Sequence, residues 1–323
     1  MVSSWYTWKS LNFPSAACSL PPRLDALCAL RRLARREGTE MLEAHSPFPW
    51  PGALPNVSLA QGAVDGPWRS CAVVASAGSL LHAELGEEID SHDAVMRFNA
   101  APTAGFERHV GSKTTIRLIN TKIVTQRKYK FSSSPLYRNV SLVLWETPPR
   151  PCNITTWYAR NNARFFSLYA SLRRGRPGQH FALIPPCFLW GLWDLLQSNA
   201  GTAKIRRTSP SSGFLGLMFM VTLCDEVTAY DFVPSMNRAS LLCHYFQRGS
   251  GAACSLGGFH PRGHEKLLAL RMSSRTPREA FESGLLKLPG INGLSCGDDG
   301  DGGGDGGGEG GRGGDDGRGE NGQ

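Results

Sequence analysis

From residue 71 onward, short apolar runs, each long enough for one buried strand, alternate with helix-like stretches, and this alternation narrows the fold more than any other feature. Cys71-Ala-Val-Val-Ala stops at the small-residue turn Ser76-Ala-Gly-Ser79 and passes into a helical pattern over 80–88. Ala94-Val-Met-Arg-Phe98 follows at a distance that suits a βαβ crossover. Residues 114–119, 140–145 and 181–184 read as further buried strands, with a helix over 190–197 after the last. Ser209-Pro-Ser-Ser-Gly213 then opens an apolar helix over 214–223, and 227–233 supplies another strand. Strands apolar on both faces and joined through helices form a mainly parallel sheet, so the fold class is α/β. The run 214–224 is shorter than the ~20 residues a membrane span needs, and it reads as buried core.

The two ends differ from this body. Residues 1–66 are rich in Pro and Ser and carry one predicted helix, 23–43, with Leu24, Leu27, Cys28 and Leu30 near helical spacing. They read as a partly disordered segment docked through that helix. Residues 297–323 hold 15 Gly, 8 Asp or Glu and 2 Arg, and read as a disordered tail. Removing the tail's charges leaves 33 basic and 19 acidic residues, a net of +14 in place of +8. So basic a body calls for an anionic partner. Arg31, Arg32, Arg35 and Arg36 read as a solvated helix face, and the aromatics form no RNA-binding motif, so nucleic acid is not the expected partner.

Nine cysteines occur without a CxxC spacing, which argues against a thiolate metal site. With the sequons at Asn56, Asn139 and Asn153, they favour an oxidising, glycosylating lumen. Residues 1–22 contain no apolar stretch long enough for an anchor.

Two loops have the composition of anion sites. Ser76-Ala-Gly-Ser79 and Ser211-Ser-Gly213 each place small residues before a helix, where unpaired N–H groups and the positive dipole end attract anions. Neither is a GxGxxG fingerprint or a Walker A loop, which disfavours a nicotinamide-dependent oxidoreductase.

Cys71-Ala-Val-Val, Val95-Met-Arg-Phe-Asn-Ala-Ala-Pro-Thr103 and Val110-Gly-Ser-Lys-Thr-Thr-Ile-Arg-Leu-Ile-Asn120 together resemble the large sialylmotif of animal sialyltransferases. Pro210-Ser-Ser-Gly213 through Cys224-Asp225 resembles the small motif, His244-Tyr-Phe-Gln247 the third, and His260 with Glu265 the last. Leu85-Gly-Glu-Glu-Ile-Asp-Ser-His-Asp93 and Leu288-Pro-Gly290 before Cys296 are most similar to the β-galactoside α2,6 branch, and the likeness spans about 28–296.

The resemblance implies a single Rossmann-like domain, a GT-A variant, over 67–296. It implies transfer of sialic acid from CMP-sialic acid to the 6-hydroxyl of terminal β-galactose on N-glycans or oligosaccharides, by inversion, in the Golgi lumen and membrane-associated. No metal or other cofactor is expected. His260 matches the family's base. Ser76, Asn99, Asn120, Ser211, Ser212, Gly213, His244 and Ser255 match donor positions. At the acceptor positions Lys266 matches, while Lys122 stands for Gln, Glu146 for Asp and Phe259 for Tyr. Those changes leave room for a weakened enzyme that binds glycan or nucleotide sugar. By the same resemblance Cys71 pairs with Cys224, Cys243 with Cys254 and Cys28 with Cys296, leaving Cys18, Cys152 and Cys187.

Overall fold

A computed structural model describes residues 23–45, 48–62, 68–150, 152–160, 162–206, 208–238, 240, 242–247 and 260–297. Expectations for residues 1–22, the tail from 298 onward, Ser255, Phe259 and the pairing of Cys254 lie outside these residues.

Seven strands make one sheet: β1 (Trp68–Val74), β2 (Ala94–Phe98), β3 (Ile116–Asn120), β4 (Ser141–Trp145), β5 (Phe181–Leu183), β6 (Cys224–Tyr230) and β7 (Leu285–Pro289). Their order is β5-β4-β3-β2-β1-β6-β7. Every pairing is parallel except that of β7 with β6. The α/β expectation therefore holds. Successive side chains on a strand face opposite ways. Cys71, Val73, Ile116, Leu118, Val143 and Trp145 enter one core, whereas Ala72, Val74, Ile119, Leu142 and Leu144 enter cores on the other face.

The first face is covered by four helices. They are α1 (Arg23–Glu37), α5 (Pro186–Ser198), α6 (Ser212–Leu223) and α7 (Arg262–Met272). Helix α2 (Thr121–Thr125) follows β3 directly, and α3 (Ile154–Arg160) and α4 (Asn162–Arg174) precede β5. Helix α6 is apolar all round because all of it from Phe214 to Val221 is buried. It feeds directly into β6 at Cys224. Its 12 residues span about 18 Å, close to the length of a short strand, so its N-terminus returns to the C-terminal edge of the sheet.

Several boundaries differ from the sequence reading, two of them for a backbone reason. Helix α1 ends at Glu37 because Gly38 adopts φ 67, a left-handed C-terminal stop. The helix read over 80–88 is two short pieces, Gly78–His82 and Gly86–Asp90, interrupted at Glu84 with φ 50. Strand β6 also lies three residues earlier than 227–233. In helix α1, Leu27, Leu30 and Leu33 are buried in the main core.

Two of the three family-implied disulfides are present, Cys28–Cys296 and Cys71–Cys224. Cys243 is also disulfide-bonded, to a partner outside the described residues.

Helix α6 approaches β2 through Gly216, where a Cβ would stand 2.5 Å from Phe98 Cε1 and 2.7 Å from Met96 Sδ. Gly216→Ala is expected to cost about 1–3 kcal/mol through overpacking. Chemical denaturation checks this, and an unchanged midpoint would contradict so close a contact.

Candidate active site

The chain runs outward from β1 to β5, then crosses back to place β6 on the other side of β1. Such a reversal opens a crevice at the C-terminal ends of the strands. Asn99 stands in it, directly after β2, at φ 48, a left-handed conformation that Asn tolerates better than most residues. Its N–H donates to the Leu118 carbonyl at 2.8 Å, and its side-chain Oδ1 accepts the N–H of Asn120 at 3.1 Å. Asn120 ends β3 and caps α2, its Oδ1 accepting the Lys122 N–H at 3.1 Å. With both amide oxygens engaged by backbone N–H groups, each carboxamide has its NH2 left to donate.

Arg117, missed in the sequence reading, fixes this turn from below. It is 1% exposed and donates through Nη1 to the carbonyls of Asn99 at 3.0 Å and Ala101 at 2.9 Å. Its register partner is Arg97, equally buried, which donates to the carbonyls of Val110 at 2.6 Å and Lys113 at 3.0 Å. Burial lowers both guanidinium pKa values, that of Arg97 to about 10. The available signal was a cation inside each apolar strand run.

The opposite wall is the start of α6. Ser211 is its N-cap, and the hydroxyl accepts from the Phe214 N–H at 3.2 Å. The same hydroxyl donates to Glu265 Oε2 at 2.6 Å, and the Ser211 N–H donates to Oε1 at 2.7 Å. Ser211 is thus committed to the scaffold. The first-turn N–H groups of Ser212 and Gly213 have no acceptor within the helix. Ser212 Oγ accepts from Trp145 Nε1 at 3.1 Å, and Ser209 Oγ accepts from Thr147 Oγ1 at 3.0 Å.

His260 joins this wall through Nδ1, 2.8 Å from the Ser209 carbonyl. A carbonyl can only accept, so Nδ1 carries the proton and Nε2 keeps its lone pair. Burial lowers the His260 pKa; the Ser209 contact opposes this, and Arg262 and Lys122 add to the lowering. A continuous path of contacts therefore runs from His260 through Ser209 and the α6 start to Trp145. Trp145 is the register partner of Asn120, which holds Asn99.

The remaining predicted positions surround this path. Ser76 follows β1, and its carbonyl accepts the Tyr245 N–H at 3.1 Å. A Cβ on Gly78 would stand 2.3 Å from the Leu242 carbonyl oxygen, so the segment bearing His244 lies hard against the first loop. His244 is exposed and stacks on Phe246, ring centroids 5.3 Å apart. Beside it Tyr245 is buried and donates to the Pro102 carbonyl at 2.5 Å. Lys122 is exposed on α2 and Glu146 is half-buried after β4, its pKa raised by burial. Lys266 on α7 has its pKa lowered by burial and by Arg262, against the attraction of Glu265 and Asp231.

Glu265 is fully buried, and burial pushes its pKa up to about 7 despite two hydrogen bonds from Ser211. From about pH 4.5, its ordinary value, to about 7 the folded chain keeps a proton that the unfolded chain has released. Stability then falls as pH rises through that window. Glu265→Gln is expected to flatten this part of the profile. Melting temperatures across the window check it; an unchanged slope would mean the carboxyl is ionised throughout.

The model of glycosyltransferase family 29 (sialyltransferase) matches residues 42–276. The chain is 43% identical over 289 residues to beta-galactoside alpha-2,6-sialyltransferase 2 of Bos taurus, covering 88% of this chain and 57% of that protein. With the Homo sapiens protein of that name it shares 44% over 275 residues, covering 85% and 51%. The chain thus spans about half the length of the curated relatives it matches. A mammalian sialyltransferase crystal structure aligns at 24% identity over 78% of this chain and 83% of that one, with a TM-score of 0.45. Among the described residues no helix is long and apolar enough to cross a membrane. With the family model covering most of the chain and relatives this similar, the chain belongs to glycosyltransferase family 29, the sialyltransferases.

Proposed function

We propose that this chain transfers sialic acid from CMP-sialic acid to the 6-hydroxyl of terminal β-galactose on N-glycans or oligosaccharides. The observation that carries the reading is His260: its tautomer is fixed with Nε2 available, on the wall of contacts that continues to Asn99 and Asn120. The relatives' printed names supply the linkage and the acceptor class.

The donor carries a phosphate and a carboxylate. The amide NH2 groups of Asn99 and Asn120 and the first-turn N–H groups of α6 give neutral donors and a helix dipole suited to such groups. The acceptor hydroxyl loses its proton to His260 Nε2 as its oxygen attacks the anomeric carbon. The bond from that carbon to the phosphate oxygen breaks, CMP departs, and the configuration inverts. CMP leaves as a phosphate monoester, which calls for less help from a divalent ion than a diphosphate, so we infer that no metal cofactor is required. The disulfides among the described residues support an oxidising compartment, and the Golgi lumen is the compartment we infer.

Purified protein given CMP-sialic acid and N-acetyllactosamine is expected to yield the α2,6-linked product. His260→Ala is expected to slow transfer by about 10²–10⁴-fold with CMP affinity retained. Undiminished transfer by the variant removes His260 as the base, and CMP binding without turnover in the unaltered chain points to a binding protein. Because burial lowers the His260 pKa, the acid limb of kcat/KM is expected below the usual imidazole value of about 6.5. A limb at or above that value contradicts the assignment.

A further inference from the structure

The segment that follows Glu146 is gripped by one helix at several points. Trp190 Nε1 of α5 donates to the Pro148 carbonyl at 3.1 Å. The Arg150 guanidinium lies 4.2 Å from the Trp190 ring and 4.7 Å from the Trp193 ring, and it reaches Asp194 at 3.5 Å. The last point of the grip is a pair of thiols. Cys187, in the first turn of α5, places its Sγ 2.7 Å from the Cys152 carbonyl oxygen and hydrogen-bonds the Cys152 side chain. Both cysteines are free and half-buried.

Backbone geometry puts a residue's carbonyl oxygen about 2.4 Å from its own Cα, so Cys187 Sγ is within about 5 Å of Cys152 Cα. In a disulfide the partner sulfur stands about 2.0 Å from Sγ and so within about 5 Å of the same residue's Cα; Cys187 Sγ already occupies that range, and a side-chain rotation at Cys152 brings the two sulfurs together. The two disulfides already described tie α1 to residue 296 and β1 to β6. Neither touches the segment that follows β4 and carries Glu146.

We propose that Cys152 and Cys187 are the site of a further disulfide, formed by exchange with a low-molecular-weight disulfide such as oxidised glutathione, which locks the Glu146 segment to α5. The Cys187 thiol is engaged in hydrogen bonds to the Cys152 carbonyl and to Glu37, so Cys152 makes the first attack. The Cys152 thiolate attacks one glutathione sulfur, forms a mixed disulfide and expels glutathione thiolate, which takes up a proton. Cys187 gives its proton to its hydrogen-bond acceptor Glu37 and attacks the Cys152 sulfur. The Cys152–Cys187 bond forms as the bond from Cys152 to glutathione breaks, and the second glutathione leaves as a thiolate that takes up the proton held by Glu37. Two thiols are oxidised and one glutathione disulfide is reduced.

The bond stands on geometry alone; its effect on acceptor binding rests on the proposed function. The full chain is equilibrated with oxidised glutathione, alkylated, digested without reduction and mapped by mass spectrometry. A cross-linked peptide joining Cys152 and Cys187, absent from Cys152→Ser, is expected. Full alkylation of both thiols while Cys71–Cys224 stays closed, or a lasting glutathione adduct at Cys152, overturns the proposal. Transfer assays then compare the oxidised chain with a Cys152→Ala, Cys187→Ala double variant. The acceptor KM is expected to rise several-fold in the variant with the donor KM unchanged, whereas equal acceptor KM values overturn the link to the acceptor segment. If neither protein transfers sialic acid, the functional reading fails, and the peptide map still decides the bond.

Discussion

The site depends on one buried carboxyl group. Glu265 receives both the N–H and the hydroxyl of Ser211, and by doing so it anchors the first turn of α6 to α7. His260 lies just before α7, and its ring is oriented by the carbonyl of Ser209, two residues before the same cap. One side chain thus sets the distance between the N-terminal end of a helix and the imidazole held beside it. Helix α6 cannot drift to relax this contact. It is buried along its length and meets β2 through Gly216 with no room for a methyl group. The core underneath turns a single hydrogen-bonded pair into a fixed geometry.

The asparagine side of the crevice is held by an unusual means for a strand. Two arginines occupy register-paired positions on β2 and β3, where like charges would ordinarily repel. Each is instead spent on main-chain carbonyls, Arg117 on those of the Asn99 turn and Arg97 on those of the segment leading into β3. Charged donors on carbonyls are stronger than neutral ones, and at Asn99 they offset the cost of a left-handed backbone. The turn is therefore preset before any ligand arrives, with both carboxamide oxygens already occupied.

The sheet was legible because its strands are continuous apolar runs, and their spacing admits little besides parallel crossovers. Strand β7 was not, since Leu285–Pro289 includes Lys287 and Pro289 and lies at an edge, where no crossover pattern marks it. The break at Glu84 was hidden because a left-handed residue leaves no compositional trace when it is not glycine. In the candidate site, His260, Asn99, Asn120 and the Ser211 loop were recognisable from motif context, whereas the contacts of Trp145 with Ser212 and of Thr147 with Ser209 were not. Their importance comes from meeting across separations of 67 and 62 residues, which no local pattern encodes. Ser211 illustrates the difference: its type and position suggested a ligand contact, and its bonds to Glu265 and Phe214 make it part of the frame.

On the proposed reading, the choice of neutral groups around the donor follows from what the base requires. His260 already loses basicity through burial and through the fields of Arg262 and Lys122. Each further fixed cation beside the donor phosphate would lower its pKa again and weaken it as a proton acceptor. Carboxamide NH2 groups and helix N–H groups bind an anion through partial charges that decay over a shorter range. They allow a doubly negative donor to be held within reach of an imidazole without disabling it. When the donor binds, its own negative charge raises the His260 pKa, so the base is strongest when substrate is present. The surplus positive charge of the body then acts from a distance, drawing the donor in while leaving the neutral groups to hold it.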